Sequence, residues 1–543
     1  MTRLLAIGLL ALSGSALAAP SQPSDAQRYI RFRAADAAGD MGAASAQMQV
    51  LLANDKGSVT LAQRAYRQGV AAGDQGLATT AAHLLDKAGQ LPPDGPLLFY
   101  VDAVRAKDWA GARAAIDRLN NGKLFAFLTP MLSAWIGIGT GDGSALQAVE
   151  ASKSAGLSSA YYTSTKALLL LAMDQTDSAV EIIRSQPAFG PRMRILGAAQ
   201  LAREKRTDEA MALLAGDDEP LIEARRLLAK NGRLDLRVDS ASAGVSELLA
   251  QVAVDFSRQR LAPVATVIAR FATFADARNA TAWIATANLL ALGKKPDAAA
   301  LALDHVPADD PFASGANALR LSLLLGQDKK EDALGVVTRD IKNGAGDAIT
   351  WDRAGDAYQA LDRPADAAAA YAKALALTDP SAREALWQRN LQLGTALEDA
   401  GDWPAAKAAL EKAVALAPDQ PVVLNHLGYS LLSRREELPR AVKLIDQASR
   451  LKPDDVAITD SLGWARFVVG DVEGALPLLE HAAAADPGEP TIHEHLGDVY
   501  WATGRKIEAR YAWQAALIGA EAKDKARIDR KIADGWTQAT ASP

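Results

Sequence analysis

The amino-acid sequence predicts an all-α solenoid of stacked two-helix units, and a fixed repeat length carries this prediction. Pairs ending in Asp recur every 34 residues near the start of the chain, at Gly39-Asp40, Gly73-Asp74, Lys107-Asp108 and Gly141-Asp142. Leu-Gly pairs recur every 34 or 35 residues near its end, at Leu427-Gly428, Leu462-Gly463 and Leu496-Gly497. This period is typical of solenoids, in which each unit buries its apolar face against its neighbours. Because a solenoid presents a long concave surface, the period also indicates a binding function.

The composition of the 543 residues favours helix. It also argues against some classes of binding partner and against any site that needs cysteine. Hydrophobic residues make up 49% of the chain, and most of them are Ala and Leu, which form helices well. The net charge of −6 and the lack of a polybasic run argue against nucleic acid and against anionic lipid surfaces. The absence of cysteine excludes disulfides, thiolate metal ligands and the acylated cysteine of a bacterial lipoprotein.

Residues 1–18 read as a secretory signal peptide. Arg3 supplies a positive charge, residues 4–12 form a short apolar run, and Ala16-Leu17-Ala18 is a cleavage motif of small residues. The alternative is an ordinary buried helix. No later segment reaches the roughly 20 apolar residues of a membrane span. We therefore expect a periplasmic protein, exported across the inner membrane, that is neither a lipoprotein nor a transmembrane protein.

The unit around Gly470 shows how each repeat is built. Gly470 ends a first helix, and Asp471 begins the turn into a second helix. Gly463 and Ala475 are small, which lets the two helices approach closely. Pro487 ends the second helix, because the residue before a proline avoids helical backbone angles.

Five consecutive units of this kind resemble the tetratricopeptide repeat (TPR) family. The first carries Trp351, Gly355, Tyr358, Ala367, Tyr371, Ala374 and Pro380. The fifth carries Leu496, Gly497, Tyr500, Ala509, Trp513 and Ala516. The resemblance implies a right-handed α-solenoid of TPR and TPR-like helix-turn-helix repeats.

The predicted order of segments follows the strength of this match. We expect a divergent TPR-like solenoid over residues 19–230, a loop or hinge over 231–244, and degenerate helical repeats over 245–345. The five TPR units cover 346–521. A capping helix and tail over 522–543 end the chain, because Ile528 and Ile532 form one apolar pair on an otherwise charged helix.

No catalytic, cofactor or metal site is predicted. His493 and His495 are two residues apart and so point to different faces of a helix, whereas a helical zinc site needs a spacing of four. The glycine-rich segment 137–143 lacks both a preceding strand and a phosphate-binding lysine. The repeats leave no room for a separate catalytic domain, so we expect a protein that is not an enzyme.

A stripe of the first helices is predicted to line the concave groove and to bind a partner. Counted from the Leu-Gly pairs, its candidate partner-binding residues are Asn425, Tyr429, Asp460, Trp464, Phe467, Glu494, Asp498 and Trp501. Aromatic side chains are common anchors in interfaces. The alternative is that Trp464 and Trp501 pack against the neighbouring repeat.

Charge predicts the kind of partner. Some TPR proteins hold a partner's C-terminal carboxylate with Lys and Asn on this stripe. Here Asn425 is kept, but acidic residues replace the cations, at Asp460, Glu494 and Asp498. A protein or extended peptide segment that is apolar or basic is therefore the better-matched ligand.

These observations predict a non-enzymatic TPR scaffold or adaptor of the bacterial cell envelope. The segment 460–501 resembles envelope TPR proteins that include adaptors delivering substrates to carboxyl-terminal processing proteases. One alternative is an assembly scaffold for polysaccharide export, pilus or outer-membrane machinery. Another, of a different class, is a subunit of a glycosyltransferase-type enzyme. The sequence leaves the oligomeric state open.

Overall fold

A computed structural model describes residues 23–122, 124–154, 156, 159–342 and 346–542. The predicted signal peptide and its cleavage site lie outside these residues. The described residues form thirty α-helices and no strand, which confirms the predicted fold class. The chain divides into two compact units, one ending at Leu323 and the other beginning at Leu324. No helix in the described part of the chain is long and apolar enough to cross a membrane.

Unit 1 contains seventeen complete helices and most of an eighteenth. Their bounds are α1 (Asp25–Ala37), α2 (Met41–Asn54), α3 (Val59–Ala72), α4 (Gln75–Lys87), α5 (Gly95–Ala106), α6 (Trp109–Gly122), α7 (Thr129–Thr140), α8 (Ala145–Glu150), α9 (Ser159–Ala172), α10 (Thr176–Ser185), α11 (Pro191–Arg203), α12 (Thr207–Leu213), α13 (Glu219–Asn231), α14 (Ala241–Arg258), α15 (Ala262–Ala275), α16 (Ala280–Leu292), α17 (Pro296–Leu303) and α18 (Ala313–Gly326).

Unit 2 contains the remaining twelve described helices. Their bounds are α19 (Lys330–Lys342), α20 (Ala348–Ala360), α21 (Pro364–Ala376), α22 (Arg383–Asp399), α23 (Trp403–Leu416), α24 (Pro421–Ser433), α25 (Leu438–Leu451), α26 (Val456–Val468), α27 (Val472–Ala485), α28 (Pro490–Ala502), α29 (Lys506–Gly519) and α30 (Ala522–Asp534). Helices α20 to α29 form five packed pairs. The first helices of successive pairs, such as α24, α26 and α28, also contact one another.

The recurring Gly-Asp pairs are helix ends. Gly73 closes α3 in the left-handed region, with φ of +79°, which glycine adopts without strain. Asp74 then caps α4, because its carboxylate accepts a hydrogen bond of 2.9 Å from the backbone N–H of Leu77. Lys107 takes the left-handed position one repeat later, with φ of +57°. The 34-residue step therefore marks one turn between two helices.

The glycines of the Leu-Gly pairs permit close helix contacts in unit 2. A Cβ at Gly497 would lie 2.3 Å from Nε1 of Trp513, and one at Gly463 would lie 2.8 Å from Cγ of Leu479. No side chain fits at such distances without moving its neighbour. These glycines set the distance between the first and second helices of their repeats.

The α14–α15 hairpin packs back onto the early helices of unit 1. Helix α14 contacts α5, α7 and α9, and α15 contacts α3 and α5. Nη2 of Arg270 on α15 donates a hydrogen bond of 2.8 Å to the carbonyl oxygen of Ala71, 199 residues earlier in the chain. Since α3, α5, α7 and α9 are first helices of their pairs, the hairpin covers the face that a solenoid leaves concave.

Residues 231–244 lie inside unit 1. Helix α13 ends at Asn231 and α14 begins at Ala241, so the last residues of the predicted loop are helical. Ser240 fixes this start, since its hydroxyl accepts a hydrogen bond from the N–H of Ala243. Between the helices, Leu234, Leu236 and Val238 are buried at every second position.

Candidate partner-binding face

Helices α26 and α28 carry a row of acidic and aromatic side chains, spaced three or four residues apart within each helix. We call Asp460, Phe467, Glu494, Asp498 and Trp501 the acidic–aromatic face. All five belong to the predicted partner-binding stripe. The structure shows which atoms meet each of them.

Trp464 lies behind this face, in the core between two repeats. Its indole is fully buried and stacks on the imidazole of His495, with ring centroids 4.2 Å apart and planes 7° apart. It also stacks on Phe467, at 5.2 Å. Nδ1 of His495 lies 3.0 Å from both carboxylate oxygens of Asp460, within hydrogen-bond distance. Asp460 and Trp464 therefore join α26 to α28. The side chain of Trp464 is not exposed to solvent.

Two basic residues of α30 neutralise the carboxylates of α28. Nζ of Lys531, fully buried, lies 2.7 Å from Oε1 of Glu494 and 2.7 Å from Oδ1 of Asp498. The guanidinium of Arg527 donates two hydrogen bonds to Glu494, of 2.9 and 2.7 Å. Burial alone raises the pKa of Glu494, but the hydrogen bonds and charges of Arg527 and Lys531 outweigh it and lower the pKa to about 2.

The tail after α30 folds over the same face. Gly535, with φ of +91°, lies against Trp501, since a Cβ there would be 2.1 Å from Cζ2 of the indole. The ring of Trp536 meets Phe467 edge-on at 6.4 Å. The backbone N–H and the hydroxyl of Ser542 both donate to Oδ2 of Asp498, at 3.1 and 2.8 Å. Residues 522–542 thus cover the acidic–aromatic face at Phe467, Glu494, Asp498 and Trp501.

The prediction from sequence did not include Lys531, Trp536 or Ser542 in this face. Each lies 30 or more residues from the carboxylate or ring that it meets, and periodicity gives no sign of such a contact. One signal was available: Trp536 is a large apolar residue directly after Gly535, in a tail that is otherwise small and polar.

Helix α24 stays open at Val422, three residues before Asn425 of the stripe. Val422 is 51% exposed and lines a cavity of about 350 Å³ together with Ala385, Gln388 and Gln392 of α22. We call these four residues the open groove. Nearby, Asn425 is half-buried, and its Oδ1 has no hydrogen-bond partner among the described residues. Tyr429 is also half-buried, and burial raises the pKa of its phenol.

Unit 1 contains a second concavity, which the periodicity does not predict. Its volume is about 900 Å³, within the range of small-ligand pockets. Its walls are largely apolar and include Met41, Val70, Leu91, Val264 and Leu289. They come from α2, α3 and the α4–α5 loop on one side and from α15 and α16 on the other, and the packing of α15 on α3 brings the two sides together.

Comparison with known families identifies the repeats of unit 2. Residues 391–456 and 461–526 each match the family model of the tetratricopeptide repeat. These stretches contain the Leu-Gly pairs from which the resemblance was drawn, so the TPR prediction is confirmed for this part of the chain. Such repeats form scaffolds for protein–protein interaction, and none of these matches indicates an enzyme family.

Similarity to individual proteins is local or weak. A segment of 85 residues is 38% identical to the TPR repeat-containing protein PA4667 of Pseudomonas aeruginosa, and it spans 16% of this chain and 14% of that protein. The crystal structure of the APC/C hetero-tetramer Cut9–Hcn1 aligns over 95% of this chain and 97% of its own, at 13% identity and a TM-score of 0.39. A tetratricopeptide repeat protein from Parabacteroides merdae aligns over 46% of this chain and 96% of its own, at 15% identity and a TM-score of 0.38.

Proposed function

We propose that this chain is an exported, non-enzymatic scaffold that binds proteins or extended peptide segments in the bacterial cell envelope. One observation carries the proposal: the open groove and the acidic–aromatic face lie on the same row of first helices in unit 2. An open cavity lined by apolar and amide side chains suits an extended apolar segment, and the carboxylates on α26 and α28 of the same row suit a basic one. The signal peptide predicted for residues 1–18 supports the location.

An adaptor for a carboxyl-terminal processing protease is the specific form of this proposal. It rests on the resemblance of residues 460–501 to envelope adaptors. In this form the partners are the protease and its substrates, and unit 2 holds one of them. Identification of the bound proteins by mass spectrometry separates this form from a scaffold of an assembly machine.

The test is capture of partners from an envelope extract on the immobilised full-length mature chain. The variant Val422→Arg places a long cation in the open groove, where it fills the cavity and repels basic segments. We expect it to weaken capture about tenfold, which corresponds to about 1.4 kcal/mol. The matched control is Ile518→Arg, because Ile518 is 88% exposed on the second helix of the last pair. Equal capture by both variants contradicts binding in the groove, and no captured protein at all contradicts the proposed function.

A further inference from the structure

We infer that the acidic–aromatic face is a recognition site for a basic helix followed by a tryptophan, and that residues 522–542 occupy it as a ligand within the same chain. A partner segment of this chemistry binds by displacing them. The inference rests on the proposed function, because it names the partner class for the same row of helices.

The chemistry of the occupant defines the ligand. Arg527 and Lys531 are four residues apart and so lie on one side of α30, where they meet Glu494 and Asp498. Trp536 follows and reaches Phe467, one repeat further along the row. A ligand therefore needs two cations one helical turn apart and an aromatic ring five residues after the second.

The face selects cations because any segment that covers it buries its carboxylates, as residues 522–542 do. Glu494 and Asp498 are 4% and 0% exposed, and a buried carboxylate is stable only when it is paired or hydrogen-bonded. When residues 522–542 leave, both carboxylates lose their cations. An apolar or acidic segment cannot replace these contacts, whereas a basic segment can.

The fit of the tail is incomplete. Nε1 of Trp536 is buried and has no hydrogen-bond partner among the described residues. A buried donor without a partner weakens the contact that contains it. By contrast, Nε1 of Trp513 on α29 donates a hydrogen bond of 3.0 Å to Asp498. The tail is thus bound to the face more weakly than α30 is, and displacement of residues 522–542 starts at the tail.

Covalent attachment explains how such an occupant stays bound. A segment tethered by a short link has an effective concentration of about millimolar. The link here is the two residues between Gly519, where α29 ends, and Ala522, where α30 begins. A partner present at micromolar concentration therefore competes against a large excess of the resident ligand.

The experiment cuts this link after folding and measures exchange. A protease site is inserted after Glu521 in the full-length chain, and the cut protein is mixed with a fluorescent synthetic peptide of residues 522–542. We expect the peptide to bind the cut protein at least about tenfold more tightly than the uncut protein, measured by fluorescence anisotropy. The matched control peptide carries Arg527→Glu and Lys531→Glu and is expected not to bind.

Three outcomes overturn the inference: equal binding of the peptide to cut and uncut protein, binding of the control peptide, and unfolding of unit 2 when the fragment leaves. The third outcome identifies residues 522–542 as a structural cap only. A second variant, uncut Trp536→Ala, loosens the tail without a cut and is expected to bind the peptide more tightly than the unaltered chain. Exchange of the peptide without capture of any envelope protein contradicts the proposed function alone. Capture that is unchanged by the cut contradicts this inference alone.

Discussion

The indole of Trp464 is a fully enclosed aromatic group near the acidic–aromatic face. It has no exposed area, and it stacks on His495 of the next repeat, with planes 7° apart, and on Phe467 of its own helix, with planes 29° apart. An aromatic ring in this setting contributes packing area and stacking between repeats. Trp501 differs, since it is half-buried and lies beneath the glycine that begins the tail.

Replacing the Trp464 side chain is expected to reduce stability strongly. Trp464→Ala leaves a large cavity beside His495, and we expect the free energy of unfolding to fall by about 3–5 kcal/mol in a urea titration. Ile518→Ala, at a position that is 88% exposed, is expected to change it by less than about 0.5 kcal/mol. A loss below about 1 kcal/mol for Trp464→Ala contradicts its place in the core.

Substitution of Ala for Gly is expected to change the stability of unit 2 in opposite directions at two positions. Gly497→Ala forces Trp513 to move, because the added Cβ lies 2.3 Å from its indole, and we expect a loss of about 1–3 kcal/mol. Gly335→Ala, within α19, meets no atom within 4 Å and is expected to gain about 0.5–1 kcal/mol through helix propensity. Urea titrations that show the same sign for both variants rule out this helix contact.

At the scale of one element, α30 is attached by charge as well as by apolar contact. Ile528 is buried against α29, and Lys531 is buried between two carboxylates. The apolar pair that the sequence predicts for a capping helix accounts for the contact of Ile528 with α29 only. The pairing of Lys531 adds a fixed register, because its Nζ meets Glu494, Asp498 and Ser542 at once.

Removing one charge from the buried cluster of Lys531, Glu494 and Asp498 is expected to lower the free energy of unfolding more than removing a pair of opposite charges. Lys531→Met leaves Asp498 buried without its cation, and we expect a loss of about 3–5 kcal/mol in unfolding free energy. The double variant Lys531→Met, Asp498→Asn removes both charges and is expected to recover part of that loss. A double variant as unstable as the sum of both single variants shows that the two residues do not interact.

The low pKa of Glu494 predicts a pH dependence for unit 2. The pKa is about 2 in the folded chain, below the ordinary value of 4.5, so the ionised form contributes stability above about pH 4.5. This contribution is lost as the pH falls from about 4.5 to about 2, because the unfolded state binds the proton first. We expect Glu494→Gln to flatten the decline in unfolding free energy over this range. An unchanged slope excludes the pairing with Arg527 and Lys531.

Across the whole molecule, local features can be predicted from the sequence, whereas contacts between residues far apart in the chain cannot. The turn at Gly73-Asp74 and the close contact at Gly497 each depend on neighbouring residues and on the repeat, so their pattern is visible in the sequence. The α14–α15 hairpin and the tail at Trp536 instead contact residues far away in the chain. Helical periodicity placed Asp460, Glu494 and Asp498 on one side of their helices. It could not show that this chain supplies the cations that cover two of them.

Export is the prediction that concerns the whole chain. The cleavage motif Ala16-Leu17-Ala18 predicts that the mature protein begins at Ala19. Intact-mass measurement of the protein from its native source checks this directly. A mature protein that retains Met1 contradicts the signal peptide and the periplasmic location, and it leaves the groove of unit 2 unaffected as a proposal.

The hydrogen bond from Arg270 to Ala71 joins two residues that are synthesised at different times, so the fold of unit 1 is completed only after a delay. A ribosome adds about 5–20 residues each second, so the 199 residues between these partners take about 10–40 s to make. During that interval α3 and α5 exist without the hairpin that later covers them, and their apolar side chains face water. Open solenoids can fold unit by unit as they are made, but this one is completed only when α15 arrives. Any factor that protects the nascent chain therefore has to act over tens of seconds rather than over the synthesis of a single repeat.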